Sequence, residues 1–104
     1  MILYNLTVSI DEVVHDDWLV WMRKTHIPEV MNTGIFTEAR ISKIHAEEDG
    51  GKTYAIAYLA KSMDDLQRYQ QQHAPRLQKE HSNRYAGKFA AFRTIMEVIE
   101  EFNT

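Results

Sequence analysis

The sequence predicts a single α+β domain spanning residues 1–104, in the order β-α-β-β-α-β. A four-stranded antiparallel sheet would carry two broken helices on one face, the split βαβ plan. Three observations lead there. Apolar residues alternate with period two at the start of the chain and over residues 53–60. Two stretches with helical spacing and capping residues follow the first and third strands. An acidic turn containing Asp-Gly and Gly-Gly joins the two middle strands, and such residues tolerate the positive φ of a hairpin.

In residues 2–10, Ile2, Tyr4, Leu6, Val8 and Ile10 face one way, and Leu3, Asn5, Thr7 and Ser9 face the other. This is a strand with one firmly buried face and one semi-polar face. Asp11 offers an N-cap, and Glu12, Asp16 and Asp17 sit where the helix dipole favours negative charge. Val14, Trp18, Met22 and His26 recur every four residues, with Trp21 beside them, so a helix of three to four turns is expected. Pro28 disfavours helical geometry at Ile27 and predicts a kink or break. A short helical piece from Pro28 to Asn32 would close at Gly34. Residues 35–46 and 52–60 are strand-like, joined by Glu47-Glu48-Asp49-Gly50-Gly51. Residues 61–87 are helical, with Ser62 and Asp65 as a capping pair, a break at Pro75 and a stop at Gly87. Leu66, Tyr69, Leu77 and Tyr85 supply their apolar contacts. Phe89 to Phe102 reads as a long strand whose glutamates leave its end undefined.

If both helices cover one side, Leu3, Ala55, Ala57 and Leu59, with Ile95 or Met96, leave the other side partly apolar. Monomers seldom expose so large a patch. A homodimer packing two open sheets together is the economical solution.

Composition removes several function classes. The chain has no cysteine, so disulfides, thiolate metal sites and cysteine nucleophiles are excluded. No stretch approaches the roughly 20 apolar residues of a membrane span. The first residues lack a basic n-region, so a cytoplasmic location is expected. The net charge of −3 argues against nucleic acid as a general partner. That charge is uneven: residues 1–67 carry −5, residues 68–93 carry +5, and the remainder carries −3. The basic stretch could steer an anionic ligand, or it could be a solvated helix face or complement an acidic partner surface.

Trp18-x-x-Trp21-Met22, then His26-Ile27-Pro28-Glu29-Val30, Gly34 and Phe36, with Ala90-Ala91-Phe92-Arg93-Thr94 near the end, resemble a bacterial family of unknown function. That family lies in the dimeric α/β-barrel superfamily, whose protomers are ferredoxin-like. The resemblance covers nearly the whole chain and implies fold and dimerisation, not an activity. More distant relatives include EthD-like proteins, stress-responsive barrel proteins, and cofactor-independent or haem-degrading monooxygenases. Several of these carry His-x-Pro at the end of the first helix, as this chain does. Against the haem-degrading pattern, Asn5, Tyr69 and His73 or His81 are only roughly equivalent. Tyr69 replaces a tryptophan and neither histidine aligns cleanly, so no cofactor is expected.

His26 is the leading catalytic candidate. It shares a helix row with Trp18 and Met22, and a neutral imidazole there could act as acid, base or hydrogen-bond donor. The commoner role for such a histidine is structural: capping the helix interrupted by Pro28, or hydrogen-bonding a carbonyl that Pro28 frees. Trp18, Trp21 and Met22 could wall a pocket for a small apolar or aromatic ligand, or simply be core. Tyr54 and Tyr58 could present hydroxyls between sheet and helices or be core residues, and Tyr58 is the second catalytic candidate, with His26, around an aromatic-lined cavity. Asn5, Tyr69 and His73 complete the set of candidate ligand contacts. A weak internal echo also exists: aromatic, polar spacer and His-x-Pro occur at Trp21–Pro28 and again at Tyr69–Pro75. His73 and His81 lie eight apart, about 12 Å along a straight helix. With no HxxxH or HExxH motif, no metal site is expected. Three readings follow: a small-molecule binder, a monooxygenase- or isomerase-like enzyme using His26, and a protein-interaction module.

Overall fold

The computed structural model describes residues 1–46 and 50–104. The acidic tip Glu47-Glu48-Asp49 of the expected hairpin lies outside the described residues. The elements are β1 (Ile2–Asp11), a 3₁₀ turn (Glu12–Val14), α1 (His15–Trp21), a π turn (Met22–His26) and α2 (Ile27–Met31). They continue with β2 (Phe36–Lys43), β3 (Gly51–Ala60), α3 (Met63–Gln72), α4 (Ala74–Arg84) and β4 (Phe89–Glu97). The sheet is antiparallel with the order β2-β3-β1-β4, which is the ferredoxin-like arrangement.

Register fixes the two faces. Tyr4 lies opposite Tyr58 and Ile95, and Val8 opposite Tyr54 and Ala91. Helices cover this inner face over β1 and β3, leaving Ala91, Arg93 and Ile95 of β4 exposed, and Ile2, Tyr4, Val8, Ile10, Tyr54, Ile56, Tyr58 and Ala60 form the core with Trp18, Met22, Leu66 and Leu77. The alternation in residues 2–10 thus places one row of β1 inside, with Leu6 only half-buried. On the other face Leu3 aligns with Leu59 and Met96, and Thr7 with Ala55 and Phe92. Among the described residues no helix or strand covers these rows, and Phe92 is 62% exposed.

The first helix differs from expectation. Helical geometry runs unbroken from His15 to Met31, and Ile27 itself is helical at φ −61° and ψ −44°. The reason is the π turn. The Ile27 N–H donates to the Met22 carbonyl five residues back, so the ladder has already shifted when Pro28, which lacks an N–H, arrives. The second helix does break, at His73 (φ −126°, ψ −41°), one residue before Ala74-Pro75 opens α4. The Ser62 hydroxyl accepts from the Asp65 N–H and caps α3. Gly34 and Gly87 adopt φ of 76° and 73°, conformations that let the chain leave α2 and α4 tightly. β4 ends at Glu97, earlier than the composition of residues 89–102 suggests, because Glu97 lies opposite Ile2 and β1 has run out.

Candidate functional site

The elements bring aromatic and imidazole rings into two groups. One sits at the sheet end where β1 begins: Tyr4, Phe36, Tyr58 and Tyr69, with Tyr58 and Phe36 centroids 5.0 Å apart and Phe36 and Tyr69 4.8 Å apart. His73 stacks on Tyr69 at 6.3 Å. Burial, with neighbouring phenols adding to it, raises the Tyr58 pKa well above the usual phenol range, and the Tyr69 hydroxyl is raised for the same reason. Both remain protonated, and neither ring touches His26 among the described contacts.

The second group assembles around His26 and His81. The row that buries Trp18 and Met22 continues through the π turn to His26, 7% exposed, while α4 delivers His81, 6% exposed, in its own row after Ala74 and Leu77. Their ring centroids are 5.8 Å apart. Trp21 stacks on His26 at 4.8 Å and 25°, and Phe89 from β4 meets His81 edge-on at 4.5 Å. The Trp18 indole N–H donates to His81 Nε2 at 2.9 Å. An indole N–H can only donate, so Nε2 carries no proton, and the neutral His81 ring holds its proton on Nδ1.

Burial, then repulsion from His81, pulls the His26 pKa down to about 4. Burial, then the nearby Arg93 guanidinium, brings His81 to about 4. Both imidazoles are neutral at pH 7. His26 Nδ1 is enclosed and has no hydrogen-bond partner among the described residues. Such orphaned buried atoms are uncommon and call for an explanation. A cleft of about 40 Å³ opens here, lined by His26, His81, Ser82, Phe89, Ala91 and Arg93. Trp21 and Tyr85 flank the His81 ring and are themselves held: the Tyr85 hydroxyl donates to Asp17 at 2.8 Å, and the Arg84 guanidinium lies 5.4 Å over Trp21.

The sequence-predicted residues are therefore divided. His26 lines the cleft, and Trp21 stacks behind it on the His26 ring. Trp18 and Met22 are fully buried; Trp18 acts on the site only through His81. Tyr58, Tyr69 and His73 belong to the other ring group. Asn5 is on the open face, where its amide donates to Thr7 Oγ1 at 3.2 Å. Tyr54 hydrogen-bonds His15 Nε2 at 2.6 Å, and His15 Nδ1 lies 2.9 Å from Asp16. In the sequence His81 stands out only against the haem and metal patterns, and Arg93 only within the basic run; neither is marked there as a neighbour of His26. His81 was detectable as the polar member of the four-residue row Leu77, His81, Tyr85, the same signal that singled out His26.

The model of a domain of unknown function, DUF4286, matches residues 1–99. The chain belongs to this family. No curated protein matches it. Among solved structures, the chain is similar to an ethyl tert-butyl ether D (EthD) family protein from Bacillus halodurans. There the identity is 14% and the TM-score 0.69, over 95% of this chain and 100% of that one. It is also similar to a dimeric ferredoxin-like protein from an uncultured marine organism, at 9% identity and TM-score 0.73, over 97% and 98% of the two chains. A putative antibiotic biosynthesis monooxygenase from Bacillus cereus matches at 10% identity and TM-score 0.67, over 99% and 97%. At these identities the likeness establishes the ferredoxin-like fold alone. The DUF4286 description assigns no activity, so the chemistry must be argued from the cleft.

Proposed function

We propose that this DUF4286 protein binds a small molecule between sheet and helices, in the cleft beside His26, and does so as a homodimer. The observation that carries the reading is the meeting of two buried neutral imidazoles from separate helices, one with an unpartnered nitrogen. An apolar pair would fill this core position without that desolvation cost. The enclosed part of the cleft, about 40 Å³, takes only part of a ligand; the rest would lie along the exposed Ala91 and Ile95 on the inner face of β4. Dimerisation is supported by the uncovered row of Leu3, Leu59 and Met96 with Phe92 beside it, and by the dimeric ferredoxin-like neighbour.

Binding accounts for the geometry better than catalysis does. With a pKa of about 4, His26 is in its basic form at pH 7 but has little driving force to hold an abstracted proton. The enzyme reading with His26 and Tyr58 also needs two side chains that lie in separate ring groups. Native mass spectrometry of the protein purified from its host tests the proposal. The expected species is a dimer carrying a small molecule that His26→Phe fails to retain. An adduct held equally by wild type and His26→Phe would place the ligand elsewhere and defeat the reading.

A further inference from the structure

We infer that the group seated in the cleft is a carboxylate, held by Arg93 and by the Nδ1–H of His81; this rests on the ligand-binding reading above. Three features independent of one another converge on it. First, the Trp18 hydrogen bond fixes the His81 tautomer, leaving Nδ1–H as its donor, and that donor has no partner among the described residues. Second, Arg93 lies on β4 opposite Leu6, which puts it on the inner face beside the cleft, and it forms no ion pair among the described residues. Its side chain is exposed and lines the cleft together with His81. Third, the cleft lining contains no acidic side chain, and its about 40 Å³ accommodates roughly three water-sized atoms, the size of a carboxylate head group.

Chemistry then selects among head groups. A cation meets Arg93 and two imidazoles with no counter-charge. A neutral amide can accept from Nδ1–H but leaves the guanidinium unmatched. A carboxylate accepts from both donors in charge-assisted hydrogen bonds. Of the basic run of residues 68–93, net +5, Arg93 lines the cleft, and the net positive charge of the run would favour the approach of an acid. The exposed Ala91 and Ile95 beyond the head group suit a flat or apolar body.

The test is a ¹H–¹⁵N titration of the full chain with benzoate, and with benzamide as its neutral isostere. Benzoate should shift the Trp18 indole N–H and the Ala91–Arg93 amides. Benzamide should bind weaker by about tenfold or more, and Arg93→Gln, a change at an exposed side chain, should weaken benzoate by a similar factor. Equal binding of the two probes at the cleft, or an Arg93→Gln protein with unchanged benzoate affinity, overturns the carboxylate assignment and leaves the cleft as a binding site. Shifts confined to surface basic residues away from the cleft, or none with either probe, overturn the assignment and count against the cleft itself.

Discussion

Lowering the pH from 7.5 to 5.5 should destabilise this fold through His26 and His81. Both titrate near 6.5 when free and near 4 in the folded chain, because burial penalises their charged forms. Above pH 6.5 both states hold neutral imidazoles and nothing is lost. As pH falls from 6.5 towards 4, only the unfolded chain takes up protons, so stability drops until the folded pKa is reached. Between pH 7.5 and 5.5 each imidazole accounts for about 1.3 kcal/mol of that loss. The two together cost about 2.6 kcal/mol, because at pH 5.5 neither is appreciably protonated in the folded chain and their mutual repulsion does not enter. Urea unfolding at fixed protein concentration reads this directly. With an m-value of about 1–3 kcal/mol/M the midpoint falls by roughly 1 M. His81→Gln isolates the cause: its side-chain carbonyl can still accept from the Trp18 indole, but it does not titrate. Its midpoint should fall by about half as much as that of the wild type. A wild-type midpoint unchanged over this window, or an equal fall in His81→Gln, would refute the neutral buried pair.

Two further predictions follow from the same structure. Trp18→Phe removes the donor that His81 Nε2 has among the described residues and should cost about 1–3 kcal/mol at pH 7.5 in urea unfolding, with Trp21→Phe costing less because Trp21 is only half-buried. Light scattering on the dilute protein should give about twice 12.2 kDa, and Phe92→Glu on the uncovered sheet face should shift it towards a single chain; a wild type that stays at 12.2 kDa would contradict the dimer.

Most of the architecture was legible in the sequence because each strand has one buried face and each helix one buried stripe. Tyr4 and Val8 inside, Leu3 and Thr7 outside, follow from period two alone. What escaped was set by partners. The strand propensity of Ile99 and Phe102 has nothing to pair with among the described residues, since the Val98 N–H already reaches Met1, the residue before β1. Arg93 looked like one more charge in a basic run until the register placed it opposite Leu6, on the side of the sheet that holds the histidines.

The echo between the two helical segments carries the remaining information, in a detail of spacing. Trp21 and His26 are five residues apart, whereas Tyr69 and His73 are four apart, and both pairs stack. In α geometry a residue five positions on lies about 140° around the axis, too far round for the contact Trp21 makes with His26. The π turn absorbs the extra residue by moving the Ile27 N–H bond back to Met22, and so returns His26 to the face of Trp21 and towards His81. The same shift carries helical geometry past Pro28, where the sequence alone predicts a break. One inserted residue therefore accounts for the unbroken first helix and for the placement of an imidazole at the cleft. The second segment, lacking it, breaks at His73 and leaves that histidine stacked on Tyr69, in the other ring group.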